Sequence, residues 1–118
     1  MSSRNWQLRV QDILNAIDRI QERTAGITLE ELAADEVLFE SILYKFMIIG
    51  EAARNVPAEI QDRVPEIPWR LMNDMRNVVT HEYFQIKLRI VWDGIQYELP
   101  LLVEPLQNLL EREARKEE

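Results

Sequence analysis

The chain contains no cysteine, a single histidine and only three glycines. Without cysteine it can form no disulfide, thiolate metal site or cysteine nucleophile, and nothing in it points to an oxidising compartment. One histidine gives no His-Glu-x-x-His or similar zinc site, so we expect neither a metal ion nor another cofactor. Three scattered glycines form no glycine-rich phosphate loop.

Long apolar runs are missing too. No segment approaches the roughly 20 apolar residues of a membrane-spanning helix, and the first six residues lack the apolar run of a signal peptide. We therefore expect a cytoplasmic protein without membrane contact. A length of 118 residues suits one domain, 1–118, that buries roughly two thirds of its unfolded surface. Residues 111–118 are almost all charged and are expected to form a solvated, fraying tail.

The balance of charge is acidic, because 21 acidic residues outnumber 14 basic ones and give a net charge of −7. Such a chain is repelled by nucleic acid at long range. The segment from Trp69 to Val91 differs, since four basic and two acidic residues give it +2 and leave −9 for the rest. Any contact with RNA is therefore expected to be local, unless these charges merely solvate helix surfaces.

Apolar residues recur with helical periodicity in the first half of the chain. The pattern predicts one helix from Trp6 to about Thr24, where Gly26 supplies a C-terminal cap. Thr28 and Glu31 have the spacing of a capping box, which predicts a short helical turn. A long helix is expected from about residue 35 to 55, with Gly50 in its apolar stripe. A glycine there permits close approach to a neighbouring helix, and packing in the core is favoured over a seam between two chains.

Prolines divide the second half of the chain. They allow one helical turn over residues 58–63, and Pro68 suits the start of the next helix, which is expected to end between His81 and Phe84. A further helix begins near Leu88, with a kink or break expected near Glu98 because prolines follow it. The periodicity as a whole predicts an all-α fold.

The most informative stretch is the octet Arg76-Asn77-Val78-Val79-Thr80-His81-Glu82-Tyr83. An imidazole transfers protons near neutral pH, and a guanidinium binds phosphate with a permanent charge and a fork of donors. A phenol is a ligand contact or a modification target. Arginine and histidine together are suited to the cleavage of RNA.

The spacing of the octet poses a geometric problem. Residues five apart on an α-helix differ by about 140°, so Arg76 and His81 do not share a face of one helix, whereas Arg76 and Tyr83, seven apart, do. Either the chain unwinds after Thr80, or two copies meet so that Arg76 of one approaches His81 of the other. A two-fold dimer would achieve the second arrangement, because its interface is self-complementary.

The octet resembles the motif of the HEPN superfamily, and more closely that of the HepT-like toxin family: arginine, four residues of which the first is polar, histidine, one residue, tyrosine. The resemblance covers most of the chain from about Asp35 to Leu102. Its other members are Ile49-Gly50-Glu51-Ala52-Ala53, Ile67-Pro68-Trp69, Met75-Arg76-Asn77, Tyr83-Phe84, Val91-Trp92 and Leu99-Pro100.

This resemblance implies an antiparallel bundle of four to five helices that acts as a dimeric, metal-independent endoribonuclease, the toxin of a toxin–antitoxin pair. Its implied substrate is RNA, with tRNA the expected class. Arg76 and His81 would be catalytic, and Asn77 would support His81 or the phosphate. The implied partner is a small nucleotidyltransferase antitoxin that uses ATP to attach AMP to Tyr83.

The same residues also admit a different reading. Histidine near a helix C-terminus often serves as a cap, Arg76 could form a surface ion pair with Asp74 or Glu82, and Tyr83 could be a core residue with a solvated hydroxyl. The chain would then be a noncatalytic helical subunit that binds a nucleotidyltransferase or a nucleotide.

Overall fold

The computed structural model describes residues 5–81 and 87–117, with the side chains of residues 80, 81 and 115–117 left aside. Within these ranges the chain is helical and contains no strand, which confirms the all-α prediction. The elements are α1 (Asn5–Thr24), α2 (Leu29–Ala34), α3 (Glu36–Arg54), α4 (Ala58–Arg63), α5 (Trp69–His81), α6 (Leu88–Asp93), a π-helical segment (Gly94–Glu98) and α7 (Leu99–Glu117).

Helix α3 lies at the centre of the fold, because it packs against both α1 and α5, the two most extensive helix pairings among the described elements. Helix α7 packs against α1. One apolar core joins these helices and includes side chains with no more than 1% of their surface exposed. Those from the long helices are Val10, Ile13, Ile17, Ile20, Ile42, Ile49, Met72, Leu99, Leu102, Leu106 and Leu109.

The predicted helix starts in the first half are confirmed. The Thr28 hydroxyl accepts the backbone N–H of Glu31 at 3.1 Å, and the Glu31 carboxylate accepts that of Thr28 at 3.2 Å, which completes the capping box of α2. Asp35 caps α3 by accepting the backbone N–H of Leu38 at 3.0 Å. Such caps supply partners for backbone donors that have none within the helix. The turn after α1 contains Gly26 with φ 77°, a left-handed conformation that suits glycine.

Two side chains fix the connection that leads into α5. The Gln61 amide donates to the carbonyls of Ala53 at 3.1 Å and Val56 at 3.0 Å, which ties α4 to the end of α3. The Trp69 indole N–H donates to the carbonyl of Val64 at 3.2 Å. Polar groups that are buried need such partners. The start of α5 is thereby held against the end of α3.

Near Glu98, where a kink or break was predicted, the chain stays helical but changes from α to π geometry. The chain passes from α6 through the π-helical segment into α7, and α7 continues past Pro105. A π-helix pairs residues five apart, which brings Glu98 towards Asp93. Burial, and then the charge of Asp93, raise the pKa of the Glu98 carboxyl.

The charged segment expected to fray is helical as far as Glu117. Glu113 accepts a hydrogen bond from the guanidinium of Arg63 on α4 at 2.9 Å. This contact links the segment to α4. None of the described helices is long and apolar enough to cross a membrane.

Gly50 permits a close approach of α3 to α5, in agreement with the prediction that it packs in the core. A Cβ atom at this position would overlap the Cβ of Arg76 and lie 2.9 Å from both the Arg76 nitrogen and the Met72 carbonyl oxygen. Two of these three atoms belong to the backbone of α5, so they could move only if the helices separated. Glycine therefore sets the spacing between α3 and α5.

We predict that Gly50→Ala lowers the free energy of unfolding by about 1–2 kcal/mol, measured by urea denaturation. Overpacking costs about 1–3 kcal/mol, and the better helix propensity of alanine offsets up to about 1 kcal/mol of it. Gly94→Ala is the matched control, because its Cβ would meet the tip of the Phe46 ring at 3.1 Å and the Glu98 carboxylate at 3.5 Å. Side-chain ends yield more readily than backbone, so Gly94→Ala should cost less. Equal stability of Gly50→Ala and the wild type would contradict the packing account.

Candidate active site

Helix α5 carries Arg76, Asn77 and His81, and its buried face determines where each of them lies. Met72, Met75 and Val79 are buried at 0%, 4% and 8% exposure, so they mark the face that packs on the core. Arg76 follows Met72 by four residues and therefore lies at the edge of this face. His81 follows Met72 by nine residues, about two and a half turns, which places it on the opposite face of α5.

Arg76 is held between helices rather than projecting freely into solvent. Its Nε lies 2.5 Å from an Oε2 atom of Glu51 on α3, and its side chain is 25% exposed, against 55% for Glu51. Its backbone nitrogen and Cβ lie against Gly50. Two consecutive residues of α3 therefore contact Arg76, one at its backbone and the other at its guanidinium.

Asn77 and His81 are four residues apart on an unbroken α-helix, because α5 extends from Trp69 to His81. Residues at this spacing are neighbours on one helix face. Arg76 and His81 are separated by about 140° around the helix and about 7.5 Å along it. The helix does not unwind before His81, so within α5 the two residues stay on different faces.

Tyr83 and Glu82 lie outside the described residues. Their predicted roles, as a modification site and as an alternative ion-pair partner of Arg76, stay predictions. The same holds for the catalytic roles of Arg76 and His81 and for the supporting role of Asn77.

Glu51 is the functional candidate that sequence reasoning missed. It belongs to Ile49-Gly50-Glu51-Ala52-Ala53, a segment quoted for its resemblance to the HepT-like family, but no role was assigned to it. Periodicity alone places Glu51 on the exposed side of α3 and says nothing about which residue of α5 it meets. Only the approach of the two helices at Gly50 reveals the pair.

The part of the chain that the structure describes holds no cluster of three or more histidine, aspartate or glutamate residues suited to a metal ion. The chemistry that the described side chains offer at this site is that of a positioned guanidinium, with a carboxylate at its Nε. Such a group binds phosphate and stabilises negative charge that develops in a reaction.

Comparison with known proteins identifies the family. The family model described as Ribonuclease HepT-like matches residues 13–109. A "Putative RNase" of Caldanaerobacter subterraneus subsp. tengcongensis is 34% identical over 104 residues, covering 88% of this chain and 93% of that protein. A "Probable ribonuclease HepT" of Thermococcus cleftensis is 34% identical over 100 residues, covering 85% of this chain and 91% of that protein.

A "Putative RNase" of Methanocaldococcus jannaschii is 26% identical over 118 residues, covering all of this chain and 98% of that protein. No solved structure matches the chain. The family match spans the core helices and the octet. The chain therefore belongs to the HepT-like ribonuclease family, whose enzymes are nucleases that act on RNA.

Proposed function

We propose that this ribonuclease is the toxin of a toxin–antitoxin pair, and that it cleaves RNA without a metal ion at a site built from two copies of the chain. The observation that carries the composite site is the course of α5, which stays helical through His81. Arg76 and His81 are then on different faces of one helix. A second copy would bring His81 of one chain to Arg76 of the other.

The proposed chemistry follows from the two side chains. His81 takes a proton from a ribose 2′-hydroxyl or gives one to the leaving 5′-oxygen, and positioned proton transfer contributes about 10²–10⁴-fold. Arg76 binds the phosphate and stabilises the charge that develops on it. Asn77, one turn before His81, orients the imidazole or the phosphate. A two-fold dimer contains two such sites and thus two of each residue.

Exposed side chains on the side of α3 that carries Glu51 support the proposal of a dimer. Tyr44 and Met47 precede Glu51 by two turns and one turn on the same side of α3, with exposures of 63% and 37%. Large apolar side chains that are exposed and contiguous mark interaction surfaces. A second copy that covered this side of α3 would lie next to the Arg76–Glu51 pair.

The proposed antitoxin is a small nucleotidyltransferase that uses ATP to attach AMP to Tyr83. Adding AMP there would bring bulk and negative charge next to a cleft that binds phosphate. RNA would then be excluded by steric overlap and by repulsion. The proposed site of action is the cytoplasm, with tRNA as the substrate class.

Loss of either predicted catalytic residue should slow the cleavage of RNA. Purified wild-type protein should cleave total cellular RNA, tRNA included, equally well with and without EDTA. Arg76→Ala and His81→Ala should each lower the rate by about 100-fold or more, since each removes a group that acts in the transition state. Gel analysis of RNA fragments measures the rates, and circular dichroism checks that both variants fold. Cleavage by both variants at the wild-type rate would refute the assignment.

A mixture of the two variants tests whether the site is built from two chains. If Arg76 of one chain acts with His81 of the other, a heterodimer of Arg76→Ala and His81→Ala contains one intact site and one site lacking both residues. Random exchange makes half of the dimers heterodimers, so unfolding and refolding the mixed variants should restore roughly one quarter of wild-type activity. Each variant refolded alone is the control. No recovery in the mixture, with dimers present by light scattering, would place the site within one chain.

Co-expression with the proposed partner tests how the toxin is regulated. Expression of the chain alone should arrest growth, and co-expression with a small nucleotidyltransferase should relieve the arrest and add the mass of AMP to the peptide containing Tyr83. Tyr83→Phe, which removes only the hydroxyl that accepts AMP, should remain toxic in the presence of the transferase. AMP on a different residue, or relief of the Tyr83→Phe arrest, would contradict this mode of regulation.

A further inference from the structure

We propose that Glu51 is a positioning residue of the active site, whose carboxylate sets the orientation in which the Arg76 guanidinium meets the phosphate. The inference rests on the proposed cleavage of RNA at Arg76. It adds to that function a residue from a second helix, and it predicts an effect on the reaction that differs from the effect of losing Arg76.

The contact itself defines how Glu51 acts. The Glu51 carboxylate forms an ion pair at the buried Nε of Arg76, on one edge of a rigid, planar group with five N–H donors. Fixing one edge of such a plane fixes the direction of the whole fork, terminal nitrogens included. A phosphate binds an arginine best in a planar, two-point arrangement. The strength of phosphate binding therefore depends on the direction of the guanidinium fork.

Two neighbouring residues of α3 fix the position of Arg76, one at its backbone and the other at its guanidinium. Gly50 allows the Arg76 backbone to lie against α3, since a Cβ there would overlap Arg76. Glu51, the next residue, reaches the guanidinium at the far end of the same side chain. A long side chain with many rotamers is therefore held at both ends.

Glu51 acts against the attraction of RNA to this site. Its side chain is 55% exposed, and a carboxylate beside a phosphate-binding arginine repels the substrate. The Nε atom of Arg76 that it meets is buried, so the carboxylate neutralises the part of the cation that has least access to water. Orientation of the rest of the guanidinium is the benefit that we assign to this pair.

These two effects give Glu51 a distinctive kinetic signature. Replacing it should misorient Arg76 and lower kcat, because a small misplacement of a catalytic group costs a large factor in rate. The same change removes a negative charge next to the phosphate, so KM should fall. Loss of folded protein would lower the apparent kcat without lowering KM, and loss of Arg76 would raise KM.

The experiment compares Glu51→Ala with Glu40→Ala in the purified dimer, with RNA as substrate. Glu40 is exposed on the same helix, eleven residues earlier, which is about three turns away on nearly the same side. We expect Glu51→Ala to lower kcat about 10- to 100-fold together with a lower KM. Glu51→Gln, which keeps the shape of the side chain without its charge, should lose less than Glu51→Ala. Glu40→Ala should match the wild type.

A second arm tests whether Glu51 acts through Arg76. In an Arg76→Lys background there is no planar group to orient, so adding Glu51→Ala should change kcat by less than about threefold. An undiminished effect in that background, or wild-type kcat for Glu51→Ala, would overturn the proposal. Failure of the proposed function looks different, since the wild-type protein itself would then not cleave RNA, or Arg76→Ala would cleave it normally.

Discussion

The contact between Gly50 and the backbone of Arg76 is the constraint on which the site depends. Helices α3 and α5 form the most extensive helix pairing of the described fold, and they approach so closely at this point that a single added methyl group would overlap Arg76. A residue with a side chain would push α5 away from α3. Because α5 carries Arg76, its distance from α3 determines where Arg76 emerges from the core and which residue of α3 it meets.

The core packing of α5 also separates the two predicted catalytic residues. Met72, Met75 and Val79 turn one face of the helix inwards, which leaves Arg76 at the edge of that face and His81 on the far side. A helix that stays regular through His81 cannot bring the two together within itself. The proposed dimer resolves this geometry, and the proposed role of Glu51 is to orient an arginine that lies at the edge of the core.

Much of the fold follows from local signals in the sequence. The capping box of Thr28 and Glu31 and the prolines around α4 mark helix limits that periodicity alone leaves open, and the all-α prediction is confirmed. Near Glu98 the expected interruption of the α-helix takes the form of a π-helical segment that continues the chain, and local propensity does not encode that form. The ion pair of Glu51 with Arg76 depends on the relative position of two helices, which no local pattern contains.

The central claim is that one active site takes Arg76 from one chain and His81 from the other. A crystal structure of the His81→Ala dimer with uncleaved RNA tests it most directly, because the variant should bind its substrate without cutting it. The account predicts a scissile phosphate bound by Arg76 of one copy, with Glu51 of that copy at the guanidinium and residue 81 of the second copy facing the ribose. A phosphate flanked by Arg76 and residue 81 of the same chain would contradict it.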